Sequence, residues 1–177
     1  MPKLSKGYIH VYTGDGKGKT TAALGLAFRA AGHNLKTIVL HFMKGDIPYG
    51  EYEAVKKMSG LITIKQMGRP TFVSKENPDP EDIRMAQEAI QLAAEVCKSG
   101  EYDLVILDEV NVAVDFKLIS VDEVLEVCRS KPEHVELVLT GRYAKPEIIE
   151  VADLVTEMRK IKHYYDDGVS SREGIES

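Results

Sequence analysis

The chain has 177 residues, 44% hydrophobic and 29% charged, with 23 Lys and Arg against 28 Asp and Glu for a formal net charge of −5. That length suits one domain with a real buried core, spanning residues 1–177, and the composition is that of a soluble globular protein. A mildly acidic balance argues against broad nucleic-acid binding, and with neither an apolar leader nor a long uncharged span the expectation is a cytoplasmic protein with no membrane insertion.

Residues 8–13 read as a first strand, and the Ala- and Leu-rich run Lys19–Ala31 as a helix stopped by Gly32. Residues 36–43 (KTIVLHFM) form a second strand, 52–58 a short helix and 61–67 a third strand. Residues 68–78 lack a period and are broken by Pro70 and Pro78. The longest helix is expected over 80–98, with Asp79 as its cap, Pro80 in the first turn and Gly100 at its end. Its Ile83, Ala86, Ile90, Ala93 and Cys97 recur at three- and four-residue steps and should face the core. Then come a strand at 102–107, a helix at 121–129, a strand at 135–139, a short helix at 146–151 and a last strand at 154–158. The tail, 160–177, shows no clear period from His163 onward. Strands alternating with helices predict a three-layer α/β/α fold with a mostly parallel sheet.

Between the first strand and the first helix stand Gly14-Asp15-Gly16-Lys17-Gly18-Lys19-Thr20-Thr21. Glycines let the backbone curl until several N–H groups point inward, and the helix start adds its positive dipole end. Lys19 can reach the outer phosphates of a nucleotide, Lys17 can supplement it, and the Thr20 hydroxyl can ligate magnesium or manganese. The strict phosphate-loop signature requires Gly at its first position, where this chain has Thr13. The strand before the loop and the helix after it still point to a phosphate-loop NTPase fold of the RecA-like kind.

Leu104-Val105-Ile106-Leu107-Asp108-Glu109 is an apolar strand ending in two acids. Behind a phosphate loop, such terminal carboxylates hold the metal directly or through water, which makes Thr20, Asp108 and Glu109 the candidate metal set. Thr140-Gly141-Arg142 ends a later strand, and Arg142 is placed to reach a phosphate. Cys97 and Cys128 sit in apolar helical patterns and read as buried small hydrophobes. The five histidines show no metal spacing.

With those segments in view, the chain resembles the ATP:corrinoid adenosyltransferases over nearly its whole length. The resemblance is carried by residues 12–23 (YTGDGKGKTTAA), Leu107-Asp108-Glu109, Thr140-Gly141-Arg142, Lys162-His163, Asp167-Gly168-Val169 and Gly174-Ile175-Glu176. Thr13 fits that family's loop. The resemblance implies attack of cobalt(I) of a reduced corrinoid on the 5′ carbon of ATP, with release of triphosphate. The product would be adenosylcobalamin, adenosylcobinamide or adenosylcobyrinic acid diamide.

Such chemistry needs neither a protein base nor a protein acid. It needs orientation and neutralisation of the leaving group, from Lys19, the loop N–H groups, a metal on Thr20 and Glu109, and Arg142. The resemblance also implies a reduced flavoprotein as electron donor, homodimers, a site-organising role for His163 and an aromatic contact to the corrinoid at Phe72. Phe72 reads equally well as a core residue, and Ser74 stands where some relatives carry Trp. Two other readings of the same loop remain at this point. One is an ATPase or kinase that cleaves the γ-phosphate, with Glu109 positioning the acceptor; the other is a nucleotide-binding regulatory domain without turnover.

Overall fold

In the computed structural model, which describes residues 4–43, 45, 49–58 and 60–176, six strands form one sheet. They are β1 (Ile9–Thr13), β2 (Thr37–Phe42), β3 (Ile62–Met67), β4 (Leu104–Asp108), β5 (Glu136–Thr140) and β6 (Leu154–Glu157). The helices are α1 (Lys19–Ala31), α2 (Gly50–Lys56), α3 (Pro80–Ser99), α4 (Val110–Asp115), α5 (Val121–Ser130) and α6 (Pro146–Val151). The strand order is β3-β2-β4-β5-β1-β6, and every adjacent pair runs parallel. The sheet is thus wholly parallel, a stricter arrangement than the sequence pattern required.

Alternate residues of the central strands feed two separate cores, as the period of two demands. Ile38, Leu40, Val105, Leu107, Leu137 and Leu139 pack under α3, α4, α5 and α6. Val39, Leu104, Ile106 and Val138 pack under α1, where Ala23, Ala27 and Ala30 let the helix lie close to the strands. Helices therefore cover both faces, and strands buried on both sides can be almost continuously apolar. Each large side chain buried this way contributes about 1.5–3 kcal/mol of transfer free energy.

The helix ends follow local chemistry. In α3 the Asp79 side chain accepts a hydrogen bond from Glu81 N–H at 2.9 Å, and Gly100 closes the helix at φ 62. α5 starts on a reciprocal capping box between Ser120 and Glu123. α1 ends at the expected residue, but Gly32 stays right-handed and Asn34, at φ 57, turns the chain. Cys97 and Cys128 are buried and unpaired, and burial pushes each thiol up to about 11.

Three expectations need correction. Ile83 is 37% exposed because it lies in the first turn of α3, short of the stretch that crosses the sheet. Residues 110–115 form α4, a helix that the sequence reading passed over. The tail contains a 3₁₀ turn at Tyr164–Asp167. Because all six strands are parallel, their carboxyl ends share one border, and the loop, Asp108-Glu109 and Thr140–Arg142 all meet there.

Candidate active site

β1 runs out at Thr13 and the chain curls through Gly14, at φ 99, and Gly18, at φ 118. A Cβ on Gly14 would sit 2.3 Å from the Met158 carbonyl oxygen, so both the backbone angle and the space exclude a side chain. Gly16 N–H donates to that same carbonyl at 2.7 Å. Thr13 supplies something glycine would not: its Oγ1 accepts from Ala144 N–H at 3.3 Å and ties the loop to the turn after β5. Gly14→Ala is expected to cost on the order of 2–4 kcal/mol, from left-handed strain and overlap with backbone. A thermal melt should show a midpoint lower by roughly 5–15 °C; an unchanged midpoint would disprove the contact.

Lys19, 7% exposed, lies along the loop and donates from Nζ to the Gly16 carbonyl at 2.6 Å. Burial pulls its ammonium below the ordinary lysine range, Glu109, Asp15 and Asp108 push back, and Arg142 adds to the lowering. Arg142 is therefore within electrostatic reach of the loop, although its side chain is exposed. Asp15 Oδ1 accepts from Lys160 N–H at 3.1 Å, a bond that lowers its pKa.

Asp108 sits at the centre of a buried polar knot. Its Oδ1 accepts from Thr20 Oγ1 at 2.9 Å and from Thr140 Oγ1 at 2.6 Å, while Oδ2 lies 2.8 Å from His41 Nδ1. Thr140 Oγ1 in turn accepts from Glu109 N–H at 3.0 Å. That bond helps hold Glu109 left-handed, at φ 63, as the N-cap of α4. His41 is fully buried, and its Nε2 has no hydrogen-bond partner among the described residues.

Sequence reasoning missed His41, and it read Thr140 only as part of the strand end Thr140-Gly141-Arg142. The signal was available: His41 faces Asp108 in the β2–β4 register and is the polar interruption of an otherwise apolar stretch. Among the described residues no group of three or more His, Cys, Asp and Glu is placed to hold a metal ion. A cation here would therefore rely on hydroxyl, carboxylate and ligand oxygens together.

Two cavities adjoin at this border. The first, about 350 Å³, is lined by Lys17, Lys19, Thr20, Thr21, Leu24 and Glu109, and closed by Tyr49 and by Gly174–Glu176 of the tail. The second, about 400 Å³, is mainly apolar and lined by Met43, Arg69, Phe72, Val73, Val112 and Phe116, with Tyr49 again as a wall. Phe72 is 94% exposed, which overturns its reading as core; Val73, 5% exposed, fills the core instead.

The tail reaches back to the loop. Lys17 Nζ donates to the Ile175 carbonyl at 3.3 Å and lies 3.9 Å from the Glu176 carboxylate. Arg172 and the Tyr164 hydroxyl hold that carboxyl down to about 2. His163 caps the 3₁₀ turn, accepting from Tyr165 N–H at 3.0 Å, and does not line either cavity.

The chain is similar to known proteins over nearly its whole length. The model of the family described as ATP:corrinoid adenosyltransferase BtuR/CobO/CobP matches residues 5–177. A corrinoid adenosyltransferase of Sinorhizobium sp. is 39% identical over 172 residues, covering 97% of this chain and 80% of the relative. One from Escherichia coli K12 is 34% identical over 171 residues, covering 97% of this chain and 86% of the relative. Among solved structures, the KaiC-like protein PH0186 of Pyrococcus horikoshii OT3 superposes with a TM-score of 0.59. It covers 90% of this chain and 76% of its own at 15% identity, a likeness of phosphate-loop fold alone. Among the described residues no helix is long and apolar enough to cross a membrane.

Proposed function

This chain belongs to the ATP:corrinoid adenosyltransferase family, and on that premise we propose how its residues carry out the transfer. It is a transferase that uses ATP to adenosylate a corrinoid. The observation that carries the residue assignment is the pair of cavities sharing Tyr49, one walled by the phosphate loop and the other apolar. The triphosphate of ATP lies in the first, against the loop N–H groups, Lys17 and Lys19. The corrinoid lies against the second, with Phe72 as a contact.

Cobalt(I) attacks C5′, a cobalt–carbon bond forms, the C5′–oxygen bond breaks, and triphosphate leaves with the bonding pair. Cobalt is its own nucleophile and triphosphate a stable anion, so the protein contributes alignment and charge. Lys19, and Arg142 from the rim, neutralise the leaving group.

The donor set fits Mg²⁺ or Mn²⁺: these are hard oxygen ligands, and Thr20 donates its proton to Asp108 and so keeps its lone pairs for a cation. Thr20 and Glu109 would hold the ion directly. Asp108, whose oxygens already accept these bonds, would act behind Thr20; the bound ion would draw charge off the phosphates. A reduced flavoprotein supplies the electrons to cobalt. The chain works in the cytoplasm as one phosphate-loop domain, with the tail from residue 160 closing over the loop.

The test is to incubate the protein with ATP, Mg²⁺ and chemically reduced cobalamin, cobinamide or cobyrinic acid diamide, and to identify the phosphate product. Triphosphate with an adenosylated corrinoid is expected. Phosphate with ADP, or nucleotide bound without turnover, would overturn the assignment.

A further inference from the structure

His41 is polar where the fold would accept an apolar side chain. By the strand period of two, Val39 and His41 share one face of β2, and Val39 packs under α1. Ile106 and Asp108 occupy that face of β4, and Val138 and Thr140 occupy it on β5. The last position on this face is therefore polar in three adjacent strands, His41, Asp108 and Thr140, and each is 0% exposed. His41 and Asp108 are register partners. The row lies under the start of α1, where Thr20 reaches down to Asp108.

The imidazole has one polar contact to make and one nitrogen to leave bare. Nδ1 stands 2.8 Å from Asp108 Oδ2, and a carboxylate can accept there but not donate. Nε2 has no hydrogen-bond partner among the described residues. A ring proton is therefore most stable on Nδ1, between ring and carboxylate. His41 lines neither of the two cavities, so it acts on the site only through Asp108. We infer that His41 is a positioning residue for the transfer. Its Nδ1–H holds Asp108 Oδ2, which fixes the carboxylate plane and presents Oδ1 to the hydroxyls of Thr20 and Thr140. Thr20 then gives its proton downward and turns its lone pairs toward the loop. Without the His41 donor, the buried carboxylate turns about its Cβ–Cγ bond toward other partners, and Thr20 loses its aim. The inference rests on the proposed role of Thr20 in holding the metal and nucleotide.

Two variants separate the donor from the ring. His41→Asn sets an amide N–H close to where Nδ1–H stood, and His41→Leu has similar branching with no donor. Both lose the ring, so packing alone predicts similar effects from the two. Mn²⁺ binding in the presence of ATP, without corrinoid, is read from the electron paramagnetic resonance of free Mn²⁺. Adenosyl transfer is read in a single turnover. His41→Leu should weaken Mn²⁺ binding and slow transfer, each by about tenfold, and leave the corrinoid concentration for half-maximal rate where it was. His41→Asn should recover most of both losses. In wild-type protein labelled with ¹⁵N-histidine, the ring signal that His41→Asn removes should show a proton on Nδ1.

Equal losses in the two variants would reduce His41 to packing and overturn the inference. Mn²⁺ binding unaffected in His41→Leu would do the same, as would a wild-type ring with no proton on Nδ1. The nuclear magnetic resonance measurement needs only wild type and His41→Asn, so it decides even if His41→Leu folds poorly. A wild type that forms no adenosylated corrinoid counts against the transfer reading, whereas the Mn²⁺ and resonance measurements judge His41 whatever the product.

Discussion

Lys19→Met is expected to cut adenosyl transfer by a factor on the order of 10²–10³ while leaving the melting temperature at or above that of the wild type. The two halves of this result have one cause. Lys19 is 7% exposed, and burial is the first cause of the lowering of its ammonium pKa. A lysine whose folded pKa lies below its unfolded value is more stably charged in the unfolded chain. Below the folded pKa its charge therefore opposes folding, and that penalty disappears only as pH rises above the unfolded value.

Methionine keeps the apolar stem and removes the penalty, giving up one hydrogen bond to the Gly16 carbonyl. On the proposed assignment the same buried charge is valuable during transfer. Negative charge grows on the departing triphosphate, and a cation already fixed beside the loop stabilises it without reorganising. Single-turnover kinetics and a thermal melt on the same sample check both halves. Activity within a few-fold of wild type would remove Lys19 from the phosphate site. A midpoint lower by more than roughly 5 °C would make it a structural post instead.

Legibility in the sequence followed how locally each feature is determined. α1 and α6 were placed to the residue, because Gly18 and Pro146 mark their starts in the chain itself. β4 was expected at 102–107 and lies at Leu104–Asp108. Asp103 caps its approach instead, with its carboxylate accepting from Lys36 N–H at 2.8 Å, a contact across 67 residues that no local pattern carries. α4 was missed for a related reason. Val110, Val112 and Val114 alternate with a strand's period, and burial of Val110, Ala113 and Val114 makes the segment helical nonetheless.

The site divides along the same line. The loop residues from Gly14 to Thr21 and the pair Asp108-Glu109 could be named as candidates because each group is contiguous in the sequence. His41, Tyr49 and the bonds of Thr140 to Asp108 and Glu109 were not, because each depends on a neighbour brought in by the fold. Phe72 shows the limit of composition: an aromatic residue between two breakers reads equally as core or as contact, and only the backbone path exposes it.

The second large effect concerns the carboxylate beneath the loop. Asp108→Ala should lower stability by roughly 3–5 kcal/mol, since it strips the partner from the buried Thr140 and His41 and from the half-buried Thr20. That corresponds to a melting midpoint about 10–15 °C lower. Asp108→Asn should recover most of that stability. Its oxygen can accept from both threonine hydroxyls, and its amide can donate to His41 Nδ1 once the histidine proton moves to Nε2.

Turnover should not recover with it. The asparagine variant carries no negative charge behind Thr20, so the hydroxyl that donates to Asp108 loses its polarising partner, and transfer should fall about 10²-fold. The two variants thus separate scaffold from charge. If asparagine proves as unstable as alanine, the two hydroxyls are not held through the carboxylate oxygen. If it turns over like wild type, the negative charge at this position has no part in the transfer, and Glu109 must supply what the site needs.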